Sequence, residues 1–230
     1  MMTELLLDSS LLQQLNDVDT QLLLYLNDFR HVVADYFMWI YTKVPTWIPM
    51  YAALIFMLWR NLPLKKLLIA LLCVGVVILL CDQVCSHLIR PWVQRLRPAN
   101  LENPISPMVD IVNGYRGGRY SFPSAHAANS FGLAFYLAFL MRHKLLTFTL
   151  MLWAIINCYS RIYLGVHYPG DLLVGFLIGL VAAAIGYYAF CRLAGKGSVG
   201  RYVKAVQVPI CTWLVTVLAI LTYSVIMSFV

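Results

Sequence analysis

Long apolar runs separated by short basic interruptions set the pattern of this chain. The runs occupy residues 44–60, 66–86, 122–141, 145–161, 171–192 and 207–229. Most approach the roughly 20 residues that a bilayer-spanning helix needs. They predict an all-α membrane protein with about six transmembrane helices in one bundle. The pattern changes between Leu22 and Ile40, where Leu22, Leu26, Phe29, Val33, Tyr36, Phe37 and Ile40 recur at helical spacing among Asp28, Arg30, His31 and Asp35. So many ionisable residues favour an amphipathic helix lying at the membrane interface over a seventh span, and residues 1–43 are read as an interfacial N-terminal segment. From Arg90 to Ser121, proline and glycine density predicts a structured loop with at most short helices. No internal repeat or low-complexity linker is visible. The chain reads as a single helical membrane domain over 1–230, with candidate chemistry in 90–171 and the last span at 207–229.

Composition agrees, since 61% hydrophobic residues, 12% charged residues and a mean hydropathy of +0.76 exclude an ordinary soluble domain. Charge placement adds an orientation. The connections at 60–66, 142–144 and 192–204 carry Arg60, Lys65, Lys66, Arg142, Lys144, Arg192, Lys196, Arg201 and Lys204 and no acidic residue. Basic flanks collect on the cytoplasmic side, which places the 90–121 loop, the His167 region and both termini on the opposite face. The net charge of +7 then reports topology, and nucleic acid is not needed as a partner. Residues 1–19 hold Glu4, Asp8, Asp17 and Asp19 without Lys or Arg, unlike a cleaved signal peptide. The cysteines Cys73, Cys81, Cys85, Cys158, Cys191 and Cys211 show no metal-ligand spacing and read as small buried hydrophobes.

Three short blocks carry the candidate chemistry: Arg90 with Arg97-Pro98, then Pro123-Ser124-Ala125-His126, then Ser160-Arg161 with His167 and Asp171. Arginine offers a permanently charged fork to phosphate oxygens, histidine attacks or moves protons near neutral pH, and a carboxylate orients an imidazole. Pro169 suits a first helical turn, which puts His167 just before a helix and Asp171 within reach of it. Pro123 and Ser124 likewise read as a helix start, whose free N–H groups at Ala125 and His126 favour an anion. Arg116 and Arg119, flanking Gly117-Gly118, are possible headgroup contacts, with a solvated turn as the competing reading. Asp82, inside the second run, needs a partner, and Arg90 or His87 are the candidates. His31 and His143 fit solvated or interfacial positions. Gly175 and Gly179 have the small-xxx-small spacing of close helix packing.

The order and spacing of the three blocks resemble the signature of the type 2 phosphatidic acid phosphatase superfamily, which reads Lys-x6-Arg-Pro, Pro-Ser-Gly-His and Ser-Arg-x5-His-x3-Asp. Arg90 stands where lysine is usual and Ala125 where glycine is usual. The resemblance implies a metal-independent phosphatase without a cofactor. In it His167 attacks phosphorus to form a phosphohistidine, Asp171 holds His167, and His126 donates a proton to the leaving group. Arg90, Arg97, Ser124, Ala125, Ser160 and Arg161 bind the phosphate. A membrane lipid phosphate in the bilayer is the implied substrate, met at the periplasmic face of a bacterial inner membrane. Undecaprenyl diphosphate is the leading expectation, with lipid A or phosphatidylglycerol phosphate as alternatives. A phosphotransferase would share the first half-reaction. A non-catalytic lipid-phosphate binding or transport protein is the reading of another class, and His126, His167 and Asp171 speak against it, since binding needs only the arginines. Oligomeric state is not readable from these features.

Overall fold

In hydrocarbon every backbone N–H and C=O must be satisfied within its own segment, so the apolar runs become helices. The computed structural model describes residues 2–195 and 204–230. Among these the α-helices are α1 (Met2–Asn27), α2 (Val32–Tyr41), α3 (Ile48–Asn61), α4 (Leu64–Gln83), α5 (Arg90–Val93), α6 (Ala125–Met141), α7 (Lys144–Tyr163), α8 (Pro169–Ala194) and α9 (Gln207–Met227). A π-helical segment, Val84–Ile89, joins α4 to α5, and a 3-10 turn, Val44–Trp47, leads into α3. The 94–124 loop contains one short 3-10 turn, Ser106–Met108, and is otherwise irregular.

Four helical stretches among the described residues are long and apolar enough to cross a membrane: Leu64–Val93, Lys144–Tyr163, Pro169–Ala194 and Gln207–Met227. The protein is a multi-pass, all-α membrane protein. The other two expected spans are shorter, α6 with 17 residues and α3 with 14. The second expected span is longer than its apolar run, because the helix continues past residue 86 to Val93 and carries Arg90 on a helix. Asn61 joins two of the basic connections, donating from Nδ2 to the Lys204 carbonyl at 2.7 Å and accepting the Lys204 N–H at 3.1 Å. Lys196 and Arg201 of the third connection lie outside the described residues.

Helices α4, α6 and α8 pack against one another in one layer, and the α6–α8 contact is set by small residues. A Cβ at Gly179 would fall 2.6 Å from the Ala128 carbonyl oxygen, and one at Gly175 2.5 Å from that of Ser124. The small-xxx-small pair is therefore used inside the fold, where it lets α8 approach the α6 backbone. Phe176 closes the seam, edge-on to Phe131 and Phe135 at centroid distances of 4.8 and 5.3 Å. Cys81 packs into the same layer with its Sγ 3.3 Å from the Ala128 carbonyl. Cys73, Cys85 and Cys158 are also buried, Cys191 is half-buried, and Cys211 departs from the expectation by facing outward. Helices α2, α3 and α9 pack outside this layer around Tyr41, whose hydroxyl lies 3.4 Å from the Trp153 carbonyl and accepts the Trp213 Nε1–H at 3.3 Å.

The N-terminal segment corrects the expectation of one amphipathic helix over Leu22–Ile40. Two helices occur there, broken at residues 28–31, where the His31 ring caps α2 by accepting the Val33 N–H. His143 caps α7 in the same way through Leu146 N–H. On α1 the inward face is the one bearing Asp19, Leu23 and Asn27, four residues apart, whereas Leu22 on the helix and Phe29 in the break after it point outward. Asn27 is buried and donates to the carbonyls of Asp110, Ile162 and Tyr163, while its Oδ1 accepts the Asp110 N–H. Those bonds fix α1 against the loop and the end of α7, which an apolar stripe alone does not do.

Replacing Gly179 by Val should force α6 and α8 apart and cost about 1–3 kcal/mol. Gly75, with nothing within 4 Å of an added Cβ, should accept Ala without loss. Thermal unfolding in detergent compares the two; equal transition temperatures would show that the α6–α8 seam is not close-packed.

Candidate active site

Backbone pairing gathers the three sequence blocks at one end of the bundle. The loop folds back on itself: the Arg97 N–H donates to the Arg119 carbonyl at 3.0 Å, and the Ser121 N–H to that of Arg95 at 2.8 Å. Ala99 N–H reaches the Gly165 carbonyl at 2.9 Å, tying the loop to the α7–α8 turn. Ser124 N–H donates to the Asp171 carbonyl at 3.1 Å, which brings the second block onto the third.

His167 and Asp171 are both buried and meet through Nδ1 and Oδ2 at 3.2 Å. The same Oδ2 accepts the Tyr168 N–H at 2.9 Å, an N3 carboxylate capping the start of α8. With Nδ1–H committed to the carboxylate, Nε2 carries the ring's free lone pair. Burial pushes the His167 pKa down from 6.5 to about 4, with Arg97 and Arg161 adding to the fall and the Asp171 hydrogen bond opposing it. The ring is neutral, hence nucleophilic, at physiological pH.

Arg97 and Arg161 bear on this pair, and Arg90 bears on Arg97. Arg97 donates from Nε to the Tyr120 carbonyl at 3.1 Å, Arg161 from Nη1 to Thr42 Oγ1 at 2.8 Å, and Arg90 from Nη2 to the Pro123 carbonyl at 3.0 Å. These bonds fix each group but leave Arg97 Nη1, Arg161 Nε and Arg90 Nε buried without a protein acceptor. Burial, with Arg161 and Arg90 adding to it, lowers the Arg97 pKa to about 10, so three positive charges converge in a desolvated place while Arg97 stays protonated near neutral pH. Tyr115 faces the same cluster. Burial raises its pKa, but Arg161 and Arg97 outweigh that and lower it overall.

The remaining predicted residues divide by what they touch. Ser124 caps α6 through Oγ, which accepts the Ala127 N–H at 3.3 Å, and Ala125 opens the helix. Ser160 is buried and donates to the Asn157 carbonyl at 2.6 Å. Arg116 braces the loop, donating to the Ala99 carbonyl at 2.6 Å and to Ser106 Oγ at 3.0 Å. Arg119 forms an exposed ion pair with Glu102 at 2.7 Å. Asp82 reaches Arg90 indirectly: Ser86 Oγ lies 3.3 Å from Asp82 Oδ1 and 3.4 Å from Arg90 Nη1. Among the described residues no group of His, Cys, Asp and Glu is placed to hold a metal.

His126 lies in the first turn of α6, with Nε2 3.2 Å from Asn157 Oδ1. Asn157 donates from Nδ2 to the Trp153 carbonyl at 3.0 Å, which turns its oxygen toward the ring and makes Nε2 the protonated nitrogen. His126 and Asn157 also line a cavity of about 370 Å³ between α3, α4, α6 and α7, whose other walls include Tyr51, Leu54, Leu58, Leu71 and Leu137. Along α6 it extends from His126 to Leu137, about 16 Å at 1.5 Å per residue. Asn157, Arg95 and Asp19 escape the motif reading. Asn157 lies one turn before Ser160-Arg161 on the same helix face, a signal the sequence does contain. Arg95 sits between Arg90 and Arg97 but has no distinguishing spacing, and Asp19 is remote in the chain.

A membrane-embedded bundle that gathers an imidazole–carboxylate pair, a second imidazole and three arginines beside an apolar cavity defines a lipid phosphatase. The chain belongs to the PAP2 superfamily, whose family model matches residues 66–193. A lipid A 4'-phosphatase of Bacteroides thetaiotaomicron is 42% identical over 95% of this chain and 100% of its own length. One from Porphyromonas gingivalis is 34% identical over 79% of this chain and 78% of its own. Among solved structures, the crystal structure of Aquifex aeolicus LpxE superposes with a TM-score of 0.56 at 25% identity, covering 74% of this chain and 94% of that one.

Gly117 adopts a φ of +68°, and a Cβ there would fall 2.6 Å from Arg97 Nη1. Gly117→Ala should therefore displace the guanidinium and lower kcat/KM about tenfold or more. Gly118→Ala, with nothing within 4 Å, should leave it unchanged. Indistinguishable kinetics in the two variants would mean that Arg97 is not held by this turn.

Proposed function

We propose that this enzyme hydrolyses the 4'-phosphate of lipid A at the periplasmic face of the inner membrane, through a phosphohistidine on His167. The observation that carries the chemistry is the buried His167–Asp171 pair facing arginine N–H groups that no protein acceptor satisfies. Buried unpaired donors are costly, and phosphoryl oxygens are the acceptors that suit guanidinium geometry. His167 Nε2 attacks phosphorus as the bond to the sugar oxygen breaks, and Asp171 stabilises the ring as it becomes cationic. Arg90, Arg97 and Arg161, with the amino end of α6 at Ser124 and Ala125, take the charge that spreads over the equatorial oxygens. With its Nε2–H held by Asn157, the His126 ring takes up at Nδ1 the proton that the bound phosphate monoanion carries and passes it to the leaving sugar oxygen. It then takes one from the water that attacks the phosphohistidine, and inorganic phosphate leaves. Ser160, expected to bind the phosphate, has its hydroxyl hydrogen committed to the Asn157 carbonyl and braces that turn of α7 instead.

The apolar cavity beside His126 supports a substrate with hydrocarbon chains. For the headgroup, the relatives aligned over more than three quarters of this chain are lipid A 4'-phosphatases, which favours lipid A over the undecaprenyl diphosphate expected from the motifs. The periplasmic placement is supported by the basic connections gathered at the end opposite the site. Arg116 and Arg119 are not needed for the phosphate, since their hydrogen bonds go to the loop and to Glu102.

Phosphate release from bis-phosphorylated lipid A, undecaprenyl diphosphate and phosphatidylglycerol phosphate, each with EDTA, tests the proposal. Lipid A should be turned over fastest, and His167→Ala should reduce release at least about a thousandfold. Preference for undecaprenyl diphosphate would reverse the substrate assignment, and full turnover by His167→Ala would remove the mechanism.

The acid limb gives an independent check. Since burial favours neutral His167, the nucleophile is available above its folded pKa and is lost as pH falls through about 4. Corrected for the substrate's own titration, kcat/KM should hold from neutral pH down to about 5 before dropping. A fall centred near the ordinary imidazole value would mean that the ring is solvated.

A further inference from the structure

Asp171 has a second attachment that the phosphatase motifs do not describe. Arg95 Nη1 donates to Asp171 Oδ1 at 3.1 Å and to Asp19 Oδ2 at 2.7 Å, linking the two carboxylates through one guanidinium. Asp19 Oδ1 accepts the Gly170 N–H at 2.7 Å, one residue before Asp171. The Arg95 guanidinium lies 3.5 Å over the ring of Tyr168, one residue after His167. A Cβ at Gly170 would fall 2.8 Å from Asp19 Oδ2, so this close approach needs glycine.

We infer that Asp19 and Arg95 are positioning residues for the nucleophile, which makes α1 part of the catalytic apparatus although it lies outside the segment that the family model matches. The inference rests on His167 being the nucleophile, as proposed above. Its physical reason is charge. Asp171 helps attack because its negative charge stabilises the ring that becomes cationic. A lone arginine on its other oxygen would cancel that help. Asp19, on the same Nη1, returns the group to a net charge of −1 while Arg95 still holds the Asp171 carboxylate in place. The partners that orient a carboxylate bound to a reactive imidazole act through geometry and charge together, and their loss typically costs about 10- to 100-fold.

The test uses the full chain in detergent micelles with bis-phosphorylated lipid A. Asp19→Asn should lower kcat roughly 10- to 100-fold and leave KM within about twofold, because the substrate's own contacts are untouched. Adding Arg95→Gln to Asp19→Asn should recover part of that loss, since the uncompensated guanidinium is then gone. A structural strap would show the opposite, with the double variant slower still. If Asp19→Asn does not fold, Gly170→Ala displaces the same carboxylate and should show the same fall in kcat. Wild-type kcat in Asp19→Asn, or in Gly170→Ala in its place, or a double variant no faster than Asp19→Asn, overturns the inference. His167→Ala and Asp171→Asn run in parallel: their retaining activity would instead defeat the nucleophile assignment itself.

Discussion

The site depends on keeping one carboxylate, Asp171, ionised without water. Its side chain is fully buried, so its charge persists only if each oxygen is given a partner. The His167 ring and the Tyr168 N–H share Oδ2, and Arg95 takes Oδ1. Each partner comes from a different constraint. Tyr168 is the residue that caps α8, His167 is the one before it, and Arg95 comes from the loop that folds back from α5. The carboxylate thus couples the start of a spanning helix to the longest loop in the chain. Through the Ser124 bond to its backbone carbonyl, Asp171 also sets where α6 begins.

Around that carboxylate the charge balance is uneven by construction. Arg90, Arg97 and Arg161 converge with part of their hydrogen-bonding capacity unused, an arrangement that raises the energy of the protein alone and lowers it when an anion with several oxygens arrives. Burial works in the same direction on His167, because desolvation penalises the cationic ring and leaves a free lone pair. The same burial thus keeps the His167 ring neutral and leaves positive charge unsolvated beside it. The cavity running from His126 toward Leu137 joins this polar end to the apolar interior of the bundle.

Much of this was legible in the chain because membrane burial and phosphate chemistry both restrict residue choice. Apolar runs located α4, α7, α8 and α9 to within a few residues, and block spacing singled out His126, His167 and Asp171. The N-terminal segment was misjudged in a way that has a physical reason. Helical periodicity identifies an apolar stripe but not what faces it, and around this bundle Leu22 of α1 and Phe29 just beyond it turn outward. The inward side carries Asp19 and Asn27, whose partners are 76 to 151 residues away along the chain: Arg95, Asp110, Ile162, Tyr163 and Gly170. Arg90 was placed at a loop start for a related reason, since a π-helical segment is not marked by a change of hydropathy.

The sequence by itself determined the helical membrane class, the clustering of basic connections and the candidate reactive groups, because each rests on residue type and short-range spacing. Tertiary structure decided which hydrogen bonds those groups make. It showed that Arg116 and Arg119 are engaged within the loop, that Asn157 orients His126, and that Arg95, paired with Asp19, reaches the carboxylate behind His167. Those relations join segments whose separation along the chain is unrelated to their separation in space, and only the packed helices bring them within hydrogen-bond range.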